Sequence, residues 1–175
     1  MSELGLVQVY TGNGKGKTTA ALGLSLRAVG NGCRVLVIQF LKGRNKTGEL
    51  VAIEVYGELF KIEQYGSGRF LGQRRPTDEE RELAAMALQR AKVAMQDKAC
   101  DLLVLDEVSH GINKGLVDLA AVQELIVNRP PGLEIVLTGR NMPPELVELA
   151  DLVSEIQEIK HPHEKGVKAR KGIEF

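Results

Sequence analysis

Thr11-Gly12-Asn13-Gly14-Lys15-Gly16-Lys17-Thr18-Thr19 is the stretch on which the reading of this chain turns. It follows a short apolar run, Leu6-Val7-Gln8-Val9-Tyr10, that reads as a strand. It precedes a segment from Thr18 to Val29 with Leu22, Leu26 and Val29 at helical spacing. Strand, glycine-rich loop and helix in that order are the setting of a phosphate-binding P-loop. Glycines let backbone N–H groups converge on phosphate oxygens, and the helix start adds a positive dipole end. Lys17 is expected to reach the outer phosphates and the Thr18 hydroxyl to bind Mg2+. The usual pattern has glycine where this chain has Thr11. Gly12 and Gly14 must then supply the turn, and Lys15 adds a second cation.

Outward from the loop, strand-like and helix-like segments alternate. Val35 to Ile38 and Leu102 to Leu105 are uninterrupted apolar runs, as expected of strands covered on both faces. Ile62 to Tyr65, Ile135 to Leu137 and Leu152 to Ile159 are further strand candidates, while residues 44 to 58 read ambiguously. Thr77-Asp78-Glu79-Glu80 is a capping box opening a helix, with Leu83, Met86, Ala87, Ala91 and Ala94 at helical spacing. Helices are also expected from Leu116 to Val127 and from Pro143-Pro144 to about Ala150, and the methionines read as core residues. The pattern predicts an α/β fold: one P-loop domain over residues 1–175, with a mostly parallel sheet and helices on both faces. Ligands of such sheets sit at the carboxyl ends of the strands.

The second polar cluster falls at such an end. Leu102 to Leu105 leads into Asp106-Glu107, the expected Mg2+ partner downstream of a P-loop. Asp106 could hold a metal-bound water, and Glu107 could bind metal or act as a base. Gln39 and Lys42 after the second strand, and Arg140 and Asn141 after a later one, are candidates for ligand contact on the same ground. His110 reads as a loop histidine. No Asn-Lys-x-Asp segment is present, which weighs against GTP. Thus far the residues describe a Mg·ATP-binding α/β protein.

Composition narrows the partners. With 23 basic and 23 acidic side chains among 175 residues and few aromatics, a broadly basic, base-stacking nucleic-acid surface is not expected. No apolar run approaches a membrane span, and Met1-Ser2-Glu3-Leu4-Gly5 does not read as a signal peptide. Cys33 and Cys100 lack metal-ligand spacing and read as reduced thiols of a cytoplasmic protein.

Several segments together resemble the P-loop corrinoid adenosyltransferases. They are Tyr10 to Thr19 with its non-glycine first position, Arg27-Ala28-Val29-Gly30, and Val37-Ile38-Gln39-Phe40-Leu41-Lys42-Gly43. Leu105-Asp106-Glu107, Asn128-Arg129-Pro130 and Leu137-Thr138-Gly139-Arg140 follow. The last are Leu149 to Glu155, Lys160-His161-Pro162 and Gly172-Ile173-Glu174-Phe175. Their order and spacing carry the resemblance, which runs from about Gly5 to the C-terminus. It implies a RecA-like fold, ATP as co-substrate with Mg2+, and a corrinoid substrate in the Co(I) state. It also implies an electron-donating flavoprotein or reductase and a homodimer. ATP would lie reversed, with triphosphate held by Gly12, Asn13, Gly14, Lys15, Gly16, Lys17, Thr18 and Thr19 as the leaving group. Thr18 and Glu107 would be metal-side ligands, with Lys17 and Glu107 in catalytic roles. Phe70, in Gly66-Ser67-Gly68-Arg69-Phe70-Leu71, would press on the corrinoid face, although the family's tryptophan is missing there. Many members carry a longer segment ahead of the first strand, so any lid is expected from elsewhere; the tail Gly172-Ile173-Glu174-Phe175 is expected to dock near the site. The rival readings are a small-molecule kinase, which would release ADP, and a nucleotide sensor without turnover.

Overall fold

A computed structural model describes residues 4–43, 47–69 and 71–173. Six strands form one sheet: β1 (Val7–Thr11), β2 (Val35–Phe40), β3 (Phe60–Tyr65), β4 (Leu102–Asp106), β5 (Glu134–Thr138) and β6 (Leu152–Glu155). Their order is β3-β2-β4-β5-β1-β6, and every pairing is parallel. One strand, β5, therefore separates the strand that feeds the P-loop from the strand that ends in Asp106. Because all six strands point the same way, all their carboxyl ends lie along one edge.

Side chains alternate across the sheet, and the two faces carry two cores. On one face Val35, Val37, Leu102, Val104 and Val136 pack with Ala21 and Val29 of α1 (Lys17–Gly30). On the other, Leu36, Ile38, Leu103, Leu105, Ile135 and Leu137 meet several helices. These are α3 (Asp78–Gln96), α4 (Val108–Asn113), α5 (Leu119–Val127) and α6 (Pro144–Glu148). The short α2 (Gly48–Ala52) and a 3-10 segment, Ile53–Leu59, join β2 to β3 where the sequence was ambiguous.

The buried face of α1 shares only Val29 with the positions the periodicity picked out, whereas α3 buries the expected Ala87, Ala91 and Ala94. In α1 the buried line is Lys17, Ala21, Ser25 and Val29, and Leu26 is half exposed. In α3 it is Glu80, Ala84, Ala87, Ala91, Ala94 and Met95, while Met86 faces outward. Small residues let both helices lie close on the sheet, so the larger neighbours turn away. The capping box at Thr77 forms in both directions. Two boundaries move. The segment expected as one helix from Leu116 starts at Leu119, where the Asp118 side chain accepts from Ala120 N–H. The last strand stops at Glu155, short of Ile159. No helix among the described residues is long and apolar enough to cross a membrane.

Candidate functional site

The loop after β1 is shaped by what lies against it. The backbone beyond β6 passes beside it: Gly14 N–H donates to Ile156 O at 2.7 Å, and Ile156 N–H to Thr11 O at 2.9 Å. A Cβ on Gly12 would meet the Ile156 carbonyl oxygen, and one on Gly14 would lie 2.7 Å from the Gln157 carbonyl carbon. Gly12 and Gly16 also adopt φ of 94° and 127°, where side chains are strained. Thr11 needs no such freedom. It is the last residue of β1, and its hydroxyl accepts from Met142 N–H at 3.4 Å. The glycine requirement has moved to Gly12 and Gly14. Lys17 is buried at the loop centre, and its ammonium donates to Gly12 O and Gly14 O, each at 2.7 Å. Burial pushes its pKa below the ordinary lysine value, and the Glu107 carboxylate opposes that shift.

Behind the loop a polar row crosses the sheet. Gln64, Gln39 and Asp106 are register partners on β3, β2 and β4, and Thr138 ends β5 at the same level. All four extend the face covered by α1. Gln64 Nε2 donates to Gln39 Oε1 at 2.9 Å, and Gln39 Nε2 to Asp106 Oδ2 at 3.1 Å. Thr138 Oγ1 donates to Asp106 Oδ1 at 2.7 Å, and Thr18 Oγ1 to the same oxygen at 2.8 Å. Lys42 Nζ completes the set, 3.0 Å from Asp106 Oδ2. Asp106 is fully buried, so its charge is offset by one ammonium and three neutral donors.

Glu107 departs from this row. Its φ of 62° is left-handed, a strained position for a residue with a side chain. Its N–H donates to Thr138 Oγ1 at 2.9 Å, and it is the N-cap of α4. Ser109 Oγ on α4 donates to Arg140 O at 2.7 Å, and Asn113 Nδ2 to Asn141 O at 3.0 Å. These bonds lock the turn after β4 to the turn after β5, and thereby fix Glu107 relative to Arg140.

Two cavities open along this edge. The first, about 500 Å3, is lined by Gly14, Lys15, Gly16, Lys17, Thr18, Thr19, Lys42, Glu107 and Arg140, together with Gly48, Glu49, His161, Gly172 and Ile173. Four cations face two carboxylates in it, a balance suited to a polyanion. The second, about 560 Å3, is lined by Phe40, Leu41, Tyr65, Leu71 and the Gly66-Ser67 turn, together with Glu80 and His110. Lys42, Glu107 and Arg140 line both.

The structure thus gathers most of the residues singled out from the sequence, and it sets some apart. Gln39 lines neither cavity: it is fully buried and spends its amide on Asp106. Gly12, Asn13 and Asn141 line neither cavity either. Asp106 stands behind the first cavity rather than in its wall. Phe70 and the last two residues lie outside the described residues. The tail does reach the loop, with Lys15 Nζ 3.4 Å from Ile173 O. His110 belongs to α4 rather than a loop, and it borders the second cavity. Thr138 and Gln64 were missed as organising residues. Both are polar residues at the carboxyl ends of strands on the α1 face, which is the signal that marks them. Among the described residues no three His, Cys, Asp or Glu side chains form a metal cluster.

Comparison with known proteins gives a consistent result. The family model described as ATP:corrinoid adenosyltransferase BtuR/CobO/CobP matches residues 3–175. A corrinoid adenosyltransferase of Sinorhizobium sp is 37% identical over 175 residues, covering 99% of this chain and 81% of that protein. One from Escherichia coli (strain K12) is 36% identical over 173 residues, covering 99% and 87%. The corrinoid adenosyltransferase CobA of Salmonella typhimurium is 38% identical over 174 residues, covering 99% and 87%.

Proposed function

The chain belongs to the ATP:corrinoid adenosyltransferase family, and from that membership we propose how its two cavities divide the reaction. The enzyme moves the 5′-deoxyadenosyl group of ATP onto the cobalt of a corrinoid, in cobalamin biosynthesis or salvage. The first cavity takes the triphosphate of ATP and the second takes the corrinoid. The observation that carries this division is the shared wall: Lys42, Glu107 and Arg140 line both cavities, so ligands in the two meet there.

The corrinoid enters as substrate in its Co(I) state. Its cobalt attacks C5′ of the ribose; the cobalt–carbon bond forms as the C5′–oxygen bond breaks, and the electron pair leaves with triphosphate. The protein supplies alignment and charge. Lys15, Lys17 and the loop N–H groups hold the triphosphate, whose negative charge grows as it departs. The Thr18 hydroxyl and the Glu107 carboxylate are oxygen donors beside that position. They fit Mg2+, which takes few protein ligands and completes its shell with phosphate and water. Bound there, the ion would neutralise phosphate charge. Asp106 orients Thr18 rather than facing the ligand. Residues 1–175 act as one domain, in a cytoplasmic homodimer that receives electrons from a flavoprotein or other reductase.

Binding measurements test the division. Lys17→Ala should weaken ATP binding roughly tenfold or more and leave corrinoid binding unchanged, whereas Arg140→Ala should weaken both. An Arg140→Ala protein with either affinity at its wild-type value would rule out the shared wall.

A further inference from the structure

The second cavity owes one wall to the turn between β3 and α3, and that turn is tied down by a carboxylate beneath it. Glu80 is the third residue of α3, and only 5% of it is exposed. Ser67 Oγ donates to its Oε1 at 2.7 Å. Arg74 grips both oxygens, Nη1 to Oε2 at 2.8 Å and Nη2 to Oε1 at 2.5 Å. Thr77 N–H donates to Oε2 at 3.0 Å. The capping box needs only this last bond from the Glu80 side chain. Ser67 and Arg74 lie outside the helix, and they bracket the stretch whose Ser67, Arg69, Leu71 and Gly72 line the cavity.

Independent fastenings hold the same stretch at other points. Lys114 Nζ, just beyond α4, donates to Gly72 O at 2.6 Å. Gly43 and Gly66 bring the turns after β2 and β3 into backbone contact, where a Cβ on Gly66 would strike the Leu41 carbonyl. The cavity wall is therefore a strap pinned to α3 by the buried Glu80 carboxylate with its exposed partner Arg74, and to the end of α4 by a lysine.

We propose that Glu80, through Ser67 and Arg74, is a positioning residue that holds the strap of residues 66–69 and 71–75 in the shape that receives the corrinoid. This rests on the assignment of the second cavity to the corrinoid. Glu80 touches no part of the triphosphate cavity, so the strap acts on one substrate alone. A buried carboxylate suits the task because its charge-assisted, two-oxygen grip on Arg74 fixes direction as well as distance.

Glu80→Gln is the test, because glutamine at this helix position still serves the capping box but cannot pair with Arg74 as an ion. The KM for cob(I)alamin should rise roughly tenfold to a hundredfold, the cost of a wall displaced by a fraction of an ångström, with the KM for ATP unchanged. Amide hydrogen exchange across residues 66–69 and 71–75 should speed up in the ligand-free protein. Thr77→Ala, which weakens the cap and leaves Ser67–Glu80–Arg74 in place, should lower stability without moving the corrinoid KM. The proposal is overturned if Glu80→Gln leaves the corrinoid KM and strap exchange at wild-type values, or if Thr77→Ala raises that KM equally. A wild-type protein that never alkylates the corrinoid would contradict the assigned reaction instead, and strap exchange would then decide the clamp by itself.

Discussion

Thr18 Oγ1 lies 2.8 Å from Asp106 Oδ1, across a sequence separation of 88 residues. The contact joins the first turn of α1 to the end of β4, and so ties the P-loop to the acidic strand. Thr138, Gln39 and Lys42 converge on the same carboxylate. Asp106→Asn keeps the shape but replaces an acceptor oxygen with a donor and leaves Lys42 without its counter-charge. Stability should fall by about 1–3 kcal/mol, as for a buried polar group left unsatisfied. Chemical denaturation followed by circular dichroism measures it.

The packing of Ile156 and Gln157 on the loop predicts which glycines matter. Gly14→Ala places a methyl against the Gln157 carbonyl carbon and should lose ATP binding through a displaced loop. Gly16→Ala meets no atom within 4 Å, so its cost comes from a φ of 127° alone. Calorimetric titration with Mg·ATP on the two variants should separate the two effects, with Gly14→Ala the more damaging.

Thr77 accepts from Glu80 N–H at 3.3 Å as the N-cap of α3. Thr77→Ala should cost about 1 kcal/mol. In a chain of this length that lowers Tm by roughly 2–4 °C, which scanning calorimetry resolves.

Arg74 holds the Glu80 carboxyl far below its ordinary value of 4.5. A depressed carboxylate stabilises the fold at pH above 4.5, and that contribution is lost as pH falls below it toward the native value. The stability difference between the wild-type protein and Glu80→Gln should therefore be largest near neutrality and shrink in acid. Urea titrations across that range give the sign directly.

How much was legible follows from where each contact originates. The P-loop, the capping box and the apolar strands are local patterns, and Thr77, Lys17 and Val35 to Ile38 could be read one segment at a time. Helix faces were harder. In α1 Ala21 and Ser25 line the sheet while Leu26 turns outward, and in α3 the expected Ala87, Ala91 and Ala94 line it while Met86 does not, because close approach favours small side chains over the most hydrophobic ones. Gln39 was placed correctly at a strand end, yet whether it meets ligand depended on Asp106, its register partner on β4. The strap at Glu80 was invisible because its partners, Ser67 and Arg74, carry no motif. Only the fold shows that the capping residue of a helix also holds a cavity wall.

The central claim is adenosyl transfer, and product analysis tests it most directly. The protein, Mg·ATP and chemically reduced cob(I)alamin are combined under anaerobic conditions, following the spectral change of cobalt–carbon bond formation and identifying the phosphate released. The account predicts adenosylcobalamin and triphosphate in equal amounts. ADP as the product, or ATP left intact beside unalkylated corrinoid, would contradict it.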